Sequence, residues 1–214
     1  MDSPGDTHPR RLPLAIKVLA TCFLGLVVPV YWVSFGPSNF LWGCDIALLV
    51  VTFALWLENR LLVSMMAVGV LLMELIWMID YLLRLLSGSH LFDLGLTGYM
   101  FDPHIALAVR GISLLLHSYL PAVIIWMLYR LGYHRKALIW QCALAWVVLP
   151  LTYWLTDPAD NINFVFGTNG GPQTWMPAPL YLLLMMALLP VLVYLPSHIL
   201  LGRLFAKSRH KMRH

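Results

Sequence analysis

The chain has 214 residues, 60% hydrophobic and only 11% charged, with a formal net charge of +4 and a mean hydropathy of +0.77. Soluble domains average about 45–50% apolar and about 25% charged residues, so this composition excludes an ordinary soluble domain, a disordered chain and a coiled coil. At about 20 residues per transmembrane helix, the length holds six spans, or at most seven, and no sizeable soluble domain.

A polar segment, residues 1–11, opens the chain. The apolar run from Leu12 to Phe35 is longer than the core of a signal peptide, and no small-x-small cleavage site follows it. It reads as an uncleaved first span. Further apolar runs cover 39–57, 61–86, 104–129, 137–156 and 179–202. Turn signals separate them: Gly36-Pro37-Ser38-Asn39, then Glu58-Asn59-Arg60. The later connectors are a mixed loop over 87–103, a basic stretch from Arg130 to Lys136, and a polar loop from Asp157 to Pro177. The sequence therefore predicts an all-α polytopic bundle of six spans over 12–202. A cytoplasmic tail, 1–11, precedes it and a basic cytoplasmic tail, 203–214, follows.

Charge placement gives the expected topology. With both termini in the cytoplasm, Arg10, Arg11, Lys17, Arg60, Arg130, Arg135, Lys136, Arg203, Lys207, Arg209, Lys211 and Arg213 all fall on the cytoplasmic side. Only Arg84 and Arg110 do not, and the 157–177 loop has no Lys or Arg. The positives thus report N-in/C-in orientation in a bacterial inner membrane, and no nucleic-acid partner is expected. The C-terminal cations suit a stop-transfer flank or contact with anionic headgroups. Tyr31, Trp32, Trp42, Trp56, Tyr129 and Trp154 lie near span ends, where an interfacial aromatic belt is expected. Cys22, Cys44 and Cys142 form no CxxC motif and read as buried structural thiols.

A short echo runs through the chain. Pro29-Val30-Tyr31-Trp32 precedes Asn39-Phe40-Leu41-Trp42-Gly43, and Pro150-Leu151-Thr152-Tyr153-Trp154 precedes Asn163-Phe164-Val165-Phe166-Gly167. Parallel repeats occur in transporters, but two matches this short are what chance also gives.

Ionisable groups inside a span are costly and are functional candidates by default. Asp45 enters the second span, Glu74 lies near the middle of the third, and Asp80 and Arg84 follow in its outer third. His104 opens the fourth span, with Arg110 deeper and His117 near the midplane. Arg110, Ser113 and His117 recur at helical spacing and share a face. Asp45, Thr52, Trp56 and Asn59 share one on the second span; Glu74, Trp77, Tyr81 and Arg84 line a stripe on the third. Such stripes avoid lipid, so the three faces are expected to converge on the non-cytoplasmic side. One outcome is structural ion pairing, with Asp80 to Arg84 and Arg110 to Asp45 or Glu74. The other is an outward-facing acid/base cavity. There His117 handles protons, and Asp45, Glu74 or Asp80 orients it or acts as base. Arg110, Arg84, Ser113 and His104 then bind substrate, with the two guanidinium groups on an anionic headgroup. His198, near the inner end of the last span, reads as interfacial. The 157–177 loop, with Asp157, Asp160, Asn161, Asn163, Asn169 and Gln173, is either a cap on the cavity or a tolerated surface loop.

Several membrane-enzyme signatures are absent: HExxH, the paired glutamates of CAAX-type proteases, the DxxDGxxAR of CDP-alcohol phosphotransferases, and the aspartate-rich pairs of prenyltransferases. The His, Asp and Ser set resembles, in residue types, the ceramidase and adiponectin-receptor-like membrane hydrolases. That group has seven helices and a late HxxxH, whereas the last span here holds only His198, so its zinc site is not carried over. No metal and no particular cofactor is implied. The leading expectation is a membrane-embedded hydrolase or transferase acting on a lipid or amphiphile. The alternatives are a small-solute or ion transporter or channel, and a structural or assembly subunit.

Overall fold

The structure, a computed structural model, describes residues 12–87, 95–168 and 171–206. The two expected tails, apart from residues 203–206, and Asn169 of the polar loop lie outside the described residues. Among the described residues every regular element is helical. These are α1 (Leu14–Phe35), α2 (Gly43–Leu57), α3 (Arg60–Ser87), α4 (Leu107–Leu131), α5 (Ala137–Leu155), α6 (Ala178–Leu189) and α7 (Leu195–Ala206). Pro190–Tyr194 joins α6 to α7 as a π-helical turn, and Ala178–Phe205 runs as one continuous helical stretch.

The ends of these helices follow from local chemistry. α1 stops at Gly36, whose φ of +80° suits a residue without Cβ. The chain then makes a 3-10 turn, Pro37–Leu41, with Pro37 at its first position. α2 closes on Glu58 at φ +49°, and the Asn59 carboxamide oxygen accepts from the Leu61 and Leu62 amides at 2.9 and 3.1 Å. That pair of bonds starts α3.

Side-chain ties show how the helices run. Glu58 Oε1, just past α2, accepts from Lys17 Nζ at 2.7 Å and from the Leu12 amide at 3.1 Å. The start of α1 and the end of α2 therefore share one end of the bundle. The His134 amide, past α4, donates to Ser64 Oγ in the first turns of α3 at 2.9 Å. Tyr133 Oη and His198 Nδ1 of α7 lie 2.6 Å apart. Successive helices thus alternate in direction, α6 and α7 acting as one. Lys17, Arg60, Arg130, Lys136 and Arg203 gather at this end, called the basic end below.

Among the described residues five helical stretches are long and apolar enough to cross a membrane: Leu14–Phe35, Arg60–Ser87, Leu107–Leu131, Ala137–Leu155 and Ala178–Phe205. α2 has 15 residues. At 1.5 Å per residue it spans about 22 Å, short of a hydrocarbon core of about 30 Å. The second apolar run is shortened because Gly36 and Pro37 spend its first residues on the 3-10 turn.

α3 is the central post, packed against α2, α4, α5 and α7. Its first half is buried almost without a break from Val63 to Val70. Small residues allow this close approach: a Cβ at Gly69 would collide with the carboxamide of Gln141 on α5. Leu48 and Leu55 of α2 and Leu116, Leu120 and Ile124 of α4 complete the core. The outer face is strongly apolar, with Val33 and Leu86 more than 80% exposed, as lipid-facing positions require.

Candidate functional site

A cavity of about 730 Å³ occupies the half of the bundle away from the basic end. Its walls come from the end of α1, the start of α2, the middle of α3, the first half of α4 and the π-helical turn. Two connecting segments, 95–99 and 160–164, close it from outside. Leu188 and Leu192 line it while being 40% and 61% exposed, so the cavity reaches the lateral surface of the bundle.

The 160–164 segment is pinned by asparagines. Asn163 Nδ2 donates to the Leu41 carbonyl at 2.7 Å, and its Oδ1 accepts from the Gly43 amide at 3.0 Å. It thereby caps α2 from across the bundle. Asn161 organises the loop itself, donating to the Gly167 carbonyl and accepting from the Phe166 amide. Asn161 and Asn163 adopt φ of 42° and 53°, which asparagine tolerates. Phe164 is also left-handed, at 58°, a strained position held by its edge-on contact with Trp42 at 5.5 Å. Asp160 to Phe164 therefore wall the cavity, while Asp157 and Gln173 make only local turn contacts outside it. The two echoing motifs meet here, since Asn163 reaches the backbone of Leu41.

At the heart of the cavity wall, Glu74 of α3 meets His117 of α4, Oε2 to Nδ1, at 2.6 Å. Both are buried, at 3% and 8% exposed. Trp77, one turn after Glu74, stacks on the imidazole with centroids 3.9 Å apart, and Tyr81 stacks on Trp77. The ring is thus fixed in plane by aromatic stacking and in rotation by a carboxylate. A carboxylate accepting at Nδ1 holds the proton there and leaves a lone pair on Nε2. Nε2 has no hydrogen-bond partner among the described residues.

Two further groups share the cavity. Asp45 Oδ2 accepts from Asn39 Nδ2 at 2.9 Å, while Asp45 Oδ1 is buried with no hydrogen-bond partner among the described residues. Ser113, one turn before His117, lies 2.6 Å from the Tyr99 hydroxyl. Burial pushes the Tyr99 phenol above its ordinary value, outweighing the opposite effect of its bond with Ser113, so it stays a neutral donor.

The remaining candidates lie outside the lining. Asp80 Oδ2 accepts from the Thr97 amide at 2.9 Å and the Thr97 hydroxyl at 2.7 Å, with Arg84 Nε 3.7 Å away. Arg110 Nη1 donates to the Met100 carbonyl at 3.2 Å. His104 is exposed, its amide bonded to Asp102. Asp80 follows Glu74 by six residues, about 120° apart around the helix, and turns to the 95–102 segment rather than to the cavity. Asp80, Arg84 and Arg110 instead cluster about the 95–102 segment, whose Tyr99 borders the cavity. Among the described residues no Lys or Arg lines the cavity.

Tyr31 and Trp42, expected in the interfacial belt, turn inward and line the site with Tyr99 and Asn39. In the sequence the Asn-Phe-x-x-Gly echo marks Asn39 and Asn163, and Asn161 is marked only as part of the 157–177 loop, read as a cap or a surface loop. Among the described residues no three His, Cys, Asp or Glu are arranged to hold a metal ion. His198 pairs with Tyr133 at the basic end, far from this cluster. No family model, curated protein or solved structure matches the chain.

Proposed function

We propose that this chain is a six-span protein of a bacterial inner membrane, with both termini cytoplasmic, whose cavity is an acid/base site for a lipid or other amphiphile. The sixth span is α2 with its preceding 3-10 turn, together about 32 Å and enough for the hydrocarbon core. Gathering of the cations at one end supports the orientation.

The Glu74–His117 contact at 2.6 Å in the wall of a laterally open, largely apolar cavity carries the functional reading. Nε2 of His117 takes a proton from a water or hydroxyl as that oxygen attacks the substrate. Glu74 stabilises the resulting imidazolium without taking the proton itself, and His117 returns the proton to the leaving group. The Ser113 and Tyr99 hydroxyls share one proton between them, and the pair's other proton is donated to a substrate oxygen on which charge develops. The reaction class is hydrolysis or group transfer.

Comparative lipidomics of membranes holding wild type or His117→Ala at equal level tests this. A lipid class that changes with wild type alone is expected, with turnover falling by about 10²–10⁴ in the variant. Identical profiles would sink the enzyme reading. They would favour transport, for which a smaller void of about 70 Å³ counts, since it shares Gly43, Gly69 and Tyr194 with the cavity and continues to Gln141. Flux into vesicles would then be the measurement.

A further inference from the structure

We infer that the cavity selects a positively charged headgroup, an amine or quaternary ammonium on an apolar tail, and that Asp45 is its counter-ion. The inference rests on the reading of the cavity as an amphiphile site and adds the sign of the charge that it takes.

Among the described residues the walls carry three carboxylates, Asp45, Glu74 and Asp160, against one basic side chain, His117. Glu74 and His117 satisfy each other. Asp160 stands exposed beside the capping segment. Asp45 is different: it is 3% exposed, has no ion-pair partner among the described residues, and has only Asn39 on one oxygen. Its other oxygen, Oδ1, has nothing. A buried carboxylate without a countercharge is costly, and a cation arriving through the cavity removes that cost.

The same walls argue against other ligands. An anionic headgroup would meet carboxylates and no Lys or Arg, since Arg84 and Arg110 stand outside the lining. A hard divalent metal needs six or more oxygens, and this site offers no cluster of three ligating side chains among the described residues. An organic ammonium needs one carboxylate and aromatic neighbours, and Tyr31, Trp42 and Tyr99 belong to the same lining. The apolar remainder, running to Leu188 and Leu192, accommodates a tail.

The test is a titration of the purified full chain in neutral maltoside micelles, read by tryptophan fluorescence and thermal unfolding. The probes are dodecyltrimethylammonium, dodecyl phosphate and dodecanol, which share a tail and differ in charge. A saturable response and a raised Tm are expected with dodecyltrimethylammonium alone. Asp45→Asn should weaken that response at least about tenfold, while Asp157→Asn, an exposed carboxylate outside the lining, should keep it. An equal response to dodecyl phosphate or dodecanol would overturn the inference, as would unchanged binding by Asp45→Asn. Should that variant fail to fold, the charge series on wild type still decides. Cation binding with unchanged lipid profiles would remove the enzyme reading alone. A changed lipid profile without cation selectivity would remove the Asp45 assignment alone.

Discussion

Glu74 and Asp80 stand on the same helix, both almost wholly buried, and each meets a basic side chain. Their surroundings divide them. Asp80 accepts both the amide and the hydroxyl of Thr97, with Arg84 alongside, and every one of these groups belongs to the protein. Glu74 holds one nitrogen of His117, a cavity-lining residue, and leaves the other without a partner among the described residues. A buried charge whose partners are all supplied by the chain holds the fold together. One whose network ends at an unoccupied atom is available for chemistry. Burial and ionisability are common to both, so neither singles out Glu74; the nitrogen of His117 left without a partner among the described residues does.

The sharpest way to break this comparison is Glu74→Gln. The side chain keeps its size, but its amide can donate to Nδ1 and force the proton to Nε2, where the base should be. Turnover of the lipid class found by the profiling above should fall by about 10²–10⁴, with the protein still folded by thermal melt. Wild-type rates in this variant would mean that His117 is not the base.

Asp80→Asn should act on the other side of the comparison. It weakens two hydrogen bonds to Thr97 and leaves Arg84 beside a neutral group. The expected loss is about 3 kcal/mol of stability, read as a lowered Tm. Thr97→Val removes only the hydroxyl bond and should cost about 1 kcal/mol. If Asp80→Asn abolished turnover at a temperature where it remains folded, the division between structural and chemical carboxylates would fail.

Much of this arrangement is legible in the amino-acid sequence, and the features that hydropathy and spacing misplace share a physical cause. Hydropathy locates the long helices within a few residues, because apolar runs of that length leave the backbone few alternatives in lipid. It misses the 3-10 turn that shortens the second run, since Phe40 and Leu41 are as apolar in a turn as in a helix. It misses the π-helical turn at Pro190–Tyr194 for the same reason. Helical phase correctly pairs Ser113 with His117 and Glu74 with Trp77, because neighbours three and four apart share a face. Phase cannot say which helix each face meets. Depth therefore places Asp80 with Glu74, and phase places Arg84 there, whereas Asp80 bonds Thr97, in a connector with no periodicity to read. Tyr31 and Trp42 have interfacial positions in sequence, and only tertiary packing turns them inward.

Arg110 is where the smallest effect carries information. Helical spacing puts it on the face of Ser113 and His117, and a cation there would suit an anionic headgroup. It lies nearly two turns from His117, however, and its guanidinium reaches back to the Met100 carbonyl. Arg110→Met keeps the apolar stem and removes that single bond, so it should cost about 1 kcal/mol or less in thermal stability. The preference of the cavity for dodecyltrimethylammonium over dodecyl phosphate should be unchanged, because the charge removed is not part of the lining. A variant that gained affinity for the cation would show that Arg110 is felt inside the cavity through the segment it anchors. One that lost affinity for both probes would show that Met100 and its neighbours must be held for the cavity to exist. Either result would move Arg110 across the line that separates Glu74 from Asp80.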